Sequence, residues 1–184
     1  MNKSYGAWAA RWRVPLGFAA GIVYIVAARP QAAWLAAGAA LALLGLAMRA
    51  WAAGCLEKNQ SLAIRGPYAL TRNPLYFGSF VLALGFAIAS ANMVLGAGLM
   101  VVFLLVYWPV ILREEAFLKE KFRDAYAGYG PQVPLFFPDL RKIRSAGKGF
   151  RLQLYRRNHE YNAALGFAVM ILLLLLKMVW RGAR

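Results

Sequence analysis

The stretch that decides the fold is NPLYFGSFVLALGFAIASANMVLGAGLMVVFLLVYWPVIL, which runs from Asn73 to Leu112 without a charged residue. It is forty residues long, whereas one membrane-spanning helix needs roughly 20 apolar residues. Two helices therefore fit into it. We place the turn between them at Ser90, Ala91 and Asn92, because small and polar residues interrupt the apolar run there. The stretch predicts a tight hairpin of two transmembrane helices.

Three further apolar stretches lie outside this hairpin, at residues 14–28, 31–48 and 162–180, and the last contains Lys177. Each approaches spanning length, so the sequence predicts an all-α integral membrane protein with about five transmembrane helices. The content of 61% hydrophobic and 16% charged residues agrees with that class. A cleaved signal peptide is the alternative for the first stretch, because basic residues precede it.

The charges are distributed unevenly along the chain. With the N-terminus inside, residues 113–157 alone place eleven Lys or Arg on the cytoplasmic side, whereas the outside keeps only Arg29, Arg181 and Arg184. By the positive-inside rule, these basic segments and their juxtamembrane helices face the cytoplasm, and we expect the functional surface on the same side. All seven acidic residues fall on this same side. Topology does not require them there, so they are candidates for a functional role.

Several kinds of site lack their signatures. Cys55 and His159 are the only residues of their types, so we expect no metal site. No phosphate-binding glycine loop or hydrolase nucleophile motif occurs. The basic run at residues 141–157 predicts binding to anionic membrane lipids rather than to nucleic acid. The small residues of GFAAG, from Gly17 to Gly21, favour close packing of two helices.

A polar motif precedes the hairpin in RGPYALTRNPLYFG, residues 65–78. Asn73 followed by Pro74 predicts a helix start, whose free N–H groups and dipole favour an anionic ligand. Arg72 stands beside that end, and Tyr76 lies three residues after Asn73. Together they predict a cationic, aromatic pocket mouth at the membrane surface. The alternative is that Arg72 reaches lipid phosphates and Tyr76 belongs to an interfacial aromatic belt.

A second polar cluster follows the hairpin at REE, where the fourth span is expected to end. Glu114 and Glu115 would then lie at a helix C-terminus, where carboxylates oppose the helix dipole. The hairpin would bring them back to Arg72 and Tyr76, so that one site holds a carboxylate binder and an ammonium binder. The alternative for Glu115 is a surface ion pair with Lys119, four residues further on.

These segments together resemble a known family. GPY, RNPLYFG, REE and FRDAYAGYGPQVPLFFP are similar to the isoprenylcysteine carboxyl methyltransferases and the related bacterial phospholipid methyltransferases, over residues 58–138. The resemblance implies that S-adenosylmethionine is enclosed at the cytosolic face of a bacterial inner membrane, while a lipid or lipid-modified substrate enters from the bilayer. Asn73 stands where the family more commonly has histidine, which argues against a role for a titrating imidazole.

The resemblance also implies roles for individual residues. Arg72 and Glu115 are the expected catalytic residues. The expected cofactor-binding residues are Tyr68, Arg72, Asn73, Pro74, Tyr76, Glu114, Glu115, Tyr126 and Tyr129. A cationic group, carboxylates and aromatic rings suit the carboxylate, ammonium, adenine and sulfonium of S-adenosylmethionine. The tail at residues 126–137 is expected to close the pocket.

The sequence divides into a two-helix region at residues 1–52, a methyltransferase core at 53–140 and a C-terminal extension at 141–184. In the extension, Asn158, Glu160 and Tyr161 are candidate substrate-binding residues, with a solvated cap before the last span as the alternative.

Several functions remain open on these residues. The acceptor is expected to be methylated as in isoprenylcysteine carboxyl O-methylation, with phospholipid N-methylation or phenolic-lipid O-methylation as alternatives. A sterol-reductase-like enzyme would use NADPH, whose extra phosphate needs more basic residues than Arg65 and Arg72 provide. A non-catalytic lipid-binding protein is the third hypothesis, and it gives no reason to set Glu114 and Glu115 opposite Arg72.

Overall fold

A computed structural model describes residues 3–58, 60–147 and 149–182. Its helices are α1 (Lys3–Ala27), α2 (Ala32–Gly54), α3 (Pro74–Ala89), α4 (Met93–Tyr129), α5 (Leu152–Arg157) and α6 (Tyr161–Gly182). Short 3-10 turns lie at Gly66–Ala69, Gly130–Gln132 and Leu140–Ser145. No strand occurs within these described residues, which confirms the all-α prediction.

Three of the described helices are long and apolar enough to cross a bilayer: Ala32–Gly54, Met93–Gln132 and Tyr161–Arg181. Shorter apolar helices at Gly17–Ala27 and Pro74–Ala89 occupy the positions of the other two predicted spans. The 16 residues of α3 correspond to about 24 Å of helix, less than the roughly 30 Å of a hydrocarbon core. The helices thus support an integral membrane protein, and the number of five spans stays a prediction.

The closest helix pairing joins α2 to α3 through glycines. A Cβ atom added at Gly38 would lie 2.4 Å from the carbonyl oxygen of Gly85, and one added at Gly45 would lie 2.5 Å from the amide nitrogen of Leu82. Such distances leave no space for a side chain, so the two backbones touch. Small residues at a helix interface permit this approach inside a membrane.

Helices α3 and α4 are separated at Ser90, Ala91 and Asn92, the residues where the sequence predicts a turn. Asn92 caps α4, because its side-chain oxygen accepts a hydrogen bond of 3.2 Å from the amide of Leu95. Aromatic contacts then join the two helices along their length: the ring of Phe80 contacts Phe103 at 5.7 Å. Further from the turn, Tyr76 contacts Tyr107 at 6.1 Å, so the two helices run in opposite directions.

The expected end of a helix at REE is wrong. Helix α4 continues through these residues to Tyr129, with a kink at Arg123. The sequence from residue 113 to 122 consists mostly of good helix formers, which explains the continuation. Glu114 and Glu115 consequently lie inside α4 rather than at its C-terminus, so their carboxylates do not oppose the helix dipole.

Helices α1 and α6 pack beside this central group. Tyr24, Ala28 and Leu174 belong to one buried apolar cluster, and Lys177 donates a hydrogen bond of 2.7 Å to the carbonyl oxygen of Val26. The predicted close packing along Gly17–Gly21 is loose: among the described residues, a Cβ atom at Gly17 would meet no heavy atom within 4 Å, and one at Gly21 would meet the end of the Met170 side chain at 3.8 Å. This part of α1 borders open space instead.

Candidate functional site

The sequence-predicted residues surround a cavity of about 960 Å³, a size within the usual range for ligand sites. Eight of the nine predicted cofactor-binding residues line it: Tyr68, Arg72, Asn73, Pro74, Tyr76, Glu114, Tyr126 and Tyr129. Glu115 is not among the lining residues, although it contacts Arg72 directly. The structure therefore brings together residues separated by more than fifty positions in the sequence.

Arg72 and Glu115 form an ion pair at the wall of this cavity. Arg72 donates from Nη1 both to Glu115 Oε1 and, at 2.8 Å, to the hydroxyl of Tyr126. The side chains of Arg72 and Glu115 are only 17% and 8% exposed, whereas Lys119, whose Nζ lies 3.5 Å from the same Glu115 oxygen, is 58% exposed. Glu115 thus contacts both Arg72 and Lys119, which the sequence presented as alternative partners. Of these two partners, Arg72 is the more buried.

Two polar atoms of this pair have no hydrogen-bond partner among the described residues. They are Arg72 Nε and Glu115 Oε2, and both are buried. Leaving a buried polar atom unpaired costs free energy, and the cost is larger for charged groups. Of the residues that carry these two atoms, only Arg72 lines the cavity, so a polar ligand bound there would contact Arg72 rather than Glu115.

The chain after α4 folds back over the start of α3. The amide of Arg72 donates to the carbonyl of Pro134 at 2.9 Å, and Thr71 Oγ1 donates to the carbonyl of Phe136 at 2.8 Å. Pro74 is the first residue of α3, as predicted, but the side chain of Asn73 does not cap the helix. Asn73 Nδ2 instead donates to the carbonyl of Leu135 at 3.0 Å, so this side chain holds the returning tail.

Tyrosines form much of the remaining wall. The hydroxyl of Tyr76 donates to Glu114 Oε2 at 2.8 Å, and the hydroxyl of Tyr129 donates to the carbonyl of Tyr68 at 2.6 Å. Burial raises the pKa of Tyr68 well above its usual value, with a smaller contribution from the charge of Glu114. Tyr68 therefore stays neutral at physiological pH and presents an aromatic surface and a hydroxyl dipole.

The sequence matches a known family at this point of the chain. Residues 34–125 match the family described as phospholipid methyltransferase. The chain belongs to the phospholipid methyltransferase family. The matched segment contains all of α3 and most of α2 and α4, including Arg72, Tyr76, Glu114 and Glu115.

Curated relatives agree with this membership. The cobalt-zinc-cadmium resistance protein CzcN of Cupriavidus metallidurans is 32% identical over 143 residues, covering 72% of this chain and 64% of that protein. The nickel-cobalt-cadmium resistance protein NccN of Alcaligenes xylosoxydans xylosoxydans is 33% identical over 119 residues, covering 61% and 55%. The chain thus spans less than two thirds of either relative.

A more distant similarity concerns a named methyltransferase. The protein-S-isoprenylcysteine O-methyltransferase of Schizosaccharomyces pombe is 36% identical over 86 residues, which cover 45% of this chain and 35% of that enzyme. No solved structure matches the chain significantly.

The part of the chain matched to the phospholipid methyltransferase family also contains Arg49, a cavity residue that sequence reasoning missed. Arg49 lies in α2, five residues before its end, and lines the cavity. Its Nε and Nη2 donate to the two carboxylate oxygens of Glu160 at 2.5 and 3.0 Å, and its Nη1 donates to Ser79. The signal was present in the sequence, because an ionisable residue within an apolar helix is a functional hypothesis by default.

The three candidate substrate-binding residues occupy different positions. Asn158 lines the cavity, and its Nδ2 donates to the carbonyls of Ala53 and Leu56 at the end of α2, at 2.9 and 3.0 Å. Glu160 is buried against Arg49. Tyr161 is 41% exposed, and its hydroxyl lies 2.9 Å from His159 Nδ1. The extension beyond the family match therefore contributes Asn158 to the cavity and Glu160 to its wall.

Two of the named relatives are metal-resistance proteins. Within residues 3–58, 60–147 and 149–182, no group of three or more His, Cys, Asp or Glu side chains is arranged to hold a metal ion. The charged groups that line the cavity are those of Arg49, Lys58, Arg72 and Glu114, beside tyrosine hydroxyls and asparagine amides.

Proposed function

We propose that this protein is an integral membrane methyltransferase that uses S-adenosylmethionine and acts on a lipid or lipid-modified acceptor. The observation that carries the proposal is the Arg72–Glu115 pair beside the cavity, in which Arg72 lines the cavity and Glu115 fixes its guanidinium. Membership in a methyltransferase family supports the reaction class.

The residues present fit the proposed cofactor. Arg72 and the N-terminus of α3 suit a carboxylate, Glu114 suits an ammonium or a ribose hydroxyl, and the ring of Tyr76 suits a sulfonium or adenine. Glu115 acts through Arg72, since its carboxylate fixes the guanidinium without lining the cavity. When bound, S-adenosylmethionine supplies an electrophilic methyl group. The chain itself supplies alignment and a site with little water.

Apolar side chains on the other wall support a lipid acceptor. Phe18 and Ile22 of α1 and Leu165 and Val169 of α6 line the cavity, and each of them is more than half exposed. An acceptor chain could therefore enter from the bilayer while its reactive end meets the polar wall. The similarity to an isoprenylcysteine O-methyltransferase supports a carboxylate acceptor. The family name keeps phospholipid N-methylation as the second candidate.

The orientation and the lipid environment belong to the same proposal. The charge distribution supports a cavity that faces the cytoplasm of a bacterial cell. Arg141, Arg144 and Arg151 are exposed, and exposed apolar residues such as Ile143 and Phe150 lie among them. This combination suits the anionic lipid surface of the inner membrane.

Calorimetry on the purified protein tests the proposed cofactor. S-adenosylmethionine and S-adenosylhomocysteine should bind, and either should raise Tm because a ligand of the native state stabilises it. NADPH should not bind. Binding of NADPH alone would favour the sterol-reductase-like alternative. Absence of binding by all three ligands to folded protein would favour a non-catalytic lipid-binding protein.

A further inference from the structure

Two arginines line the cavity of about 960 Å³, which we call the main cavity, and they use their guanidinium groups differently. Arg72 donates to Glu115 from Nη1, and its buried Nε has no partner among the described residues. Arg49 donates from all three of its nitrogen atoms, and Nε and Nη2 both bind Glu160. Arg72 can therefore offer a ligand a free nitrogen atom, whereas each nitrogen atom of Arg49 already has a partner.

Few N–H bonds of Arg49 remain for a ligand. Besides the two bonds to Glu160, at 2.5 and 3.0 Å, Nη1 donates to Ser79 and lies 3.5 Å from the carbonyl oxygen of Leu75. These four contacts leave one of the roughly five N–H bonds of a guanidinium. An arginine binds a carboxylate or a phosphate most strongly through two parallel N–H bonds. On Arg49, Glu160 already takes such a pair.

Glu160 also cancels the charge of Arg49. The side chains of Arg49 and Glu160 are only 23% and 7% exposed, so water screens their attraction less than it would at the surface. An anionic group in the main cavity would meet the carboxylate of Glu160 as well as the guanidinium. The pair as a whole therefore does not attract a negative charge.

The turn before α6 fixes Glu160 against α2. Asn158 Nδ2 donates to the carbonyls of Ala53 and Leu56 at the end of α2, at 2.9 and 3.0 Å. Arg49, which Glu160 binds, lies one helical turn before Ala53. Both side chains of this turn thus hold the same part of α2. The turn lies beyond residue 125, where the family match ends, so a segment outside that match supplies the countercharge.

We infer that Glu160 determines the acceptor specificity of the main cavity: by occupying Arg49, it favours an acceptor whose reactive group carries no negative charge. The inference rests on the proposed function and narrows its acceptor, since it favours an amine or a phenol over a carboxylate. Glu160 acts through Arg49 and is a positioning residue. Without its carboxylate, Arg49 would be a partly buried charge that lacks compensation, and an anionic group could provide it.

Photolabelling with two head groups tests this inference without requiring catalysis. The probes are palmitic acid and palmitamide, each with a diazirine close to the head group, in nanodiscs of phosphatidylcholine. The two head groups have nearly the same shape, and at a pH at which the acid is ionised only their charge differs. Mass spectrometry maps the labels, and the measured quantity is the ratio of acid to amide labelling at Ser79 and Tyr107, which line the main cavity with Arg49. In the parent protein, we expect stronger labelling by the amide.

Two single variants should change this ratio in opposite directions. Glu160→Gln keeps the size of the side chain and removes its charge, so the ratio of acid to amide labelling should rise about ten- to a hundredfold. Arg49→Gln leaves Glu160 as an uncompensated negative charge, so the ratio should fall below that of the parent. A merely structural role would lower the labelling by both probes and would not raise the ratio.

Two further proteins serve as controls. The double variant with Arg49→Gln and Glu160→Gln removes both charges and should return to the parental ratio. Glu57→Gln removes the carboxylate of an exposed arginine pair and should leave the ratio unchanged. Stronger labelling by the acid in the parent, a ratio that does not rise in Glu160→Gln, or an equal rise in Glu57→Gln would overturn the inference.

Binding of S-adenosylhomocysteine to the same nanodiscs separates this inference from the proposed function. If the cofactor product binds but neither charge variant alters the ratio, the methyltransferase proposal stands and selection by Glu160 is refuted. If the ratio responds as expected but no cofactor product binds, the cavity selects by charge and the selected group does not belong to a methyl acceptor. The expected ratios together with binding support both.

Discussion

At the scale of single residues, Arg72 is the centre of the polar wall. Its backbone amide binds the returning tail at Pro134, and its guanidinium binds Glu115 and Tyr126. One residue thus connects the start of α3, the middle of α4 and the closing tail. Loss of its side chain should therefore affect ligand binding more than any single aromatic wall residue.

We expect Arg72→Ala and Glu115→Gln each to weaken the binding of S-adenosylhomocysteine, because a charge-assisted contact or its support is lost. The expected loss is about ten- to a hundredfold, as for a charged hydrogen bond to a desolvated ligand. Titration calorimetry gives the dissociation constants. Since Glu115 acts through Arg72, the loss in the double variant should be smaller than the sum of the two single losses.

Lys119→Ala is the control for this series, because Lys119 contacts Glu115 from a position that is 58% exposed. Exposed ion pairs contribute little, so this variant should bind nearly as the parent does. Equal losses in Lys119→Ala and Glu115→Gln would mean that Glu115 serves only a surface pair.

The ion pair between Arg49 and Glu160 makes a separate prediction about stability. Glu160→Ala should destabilise the protein by about 2–3 kcal/mol, less than for a fully buried pair because the side chain of Arg49 keeps 23% exposure. Thermal unfolding in detergent measures the loss.

Glu57→Ala is the matched control, since it breaks an arginine pair whose members, Arg151 and Glu57, are 56% and 32% exposed. Exposed ion pairs contribute little, so its effect on Tm should be clearly smaller than that of Glu160→Ala. If the two variants lower Tm equally, burial of the Arg49 pair contributes nothing.

These residues also mark how far the sequence predicts the site. Arg72, Tyr76 and Glu114 stand in compact motifs, so their chemistry is visible in the sequence, and the structure brings them to one cavity. Arg49 and Glu160 are 111 positions apart. Their pairing depends on how α6 packs against α2, which no local pattern encodes.

At the scale of helices, the contact between α2 and α3 depends on the absence of side chains. Gly45→Ala should destabilise the protein by about 1–3 kcal/mol, because the added Cβ would lie 2.5 Å from the backbone of Leu82. Gly98→Ala is the control: within the described part of the chain no heavy atom lies within 4 Å of the added Cβ, and alanine is the better helix former by about 1 kcal/mol. Thermal unfolding of both variants should give shifts of opposite sign, and a stabilised Gly45→Ala variant would contradict this packing.

The positions of the helices were predicted better than the end of α4 and the contacts between helices, for a physical reason. The apolar runs predicted the helical segments and the break at Asn92, because a change in polarity along the chain is a local signal. The end of α4 was misplaced, since a transition from bilayer to water does not require a helix to stop. Close helix packing was expected along Gly17–Gly21, but the backbones touch at Gly38 and Gly45 instead, because small residues permit contact without specifying a partner.

At the scale of the whole molecule, the two ends of α6 lie in different surroundings. Its start is next to Glu160, which binds Arg49 beside the main cavity, and Lys177 near its end binds the last carbonyls of α1. The 22 residues of α6 extend about 33 Å, enough to cross the hydrocarbon core. The charges predict how α6 is oriented across the membrane, since the basic residues are concentrated before α6 rather than after it.

The orientation in the membrane is the last prediction. A reporter inserted at Ser145 should lie in the cytoplasm, because residues 113–157 carry eleven Lys or Arg and positively charged segments stay inside. A reporter fused after Arg184 should lie outside, because α6 separates the two positions. An impermeant cysteine reagent applied to intact cells should therefore label a cysteine at the second position and not one at the first, and permeabilised cells should give labelling of both. Equal labelling of both positions in intact cells would mean that α6 does not cross the membrane, and the main cavity would then need a different orientation from the one that the charges predict.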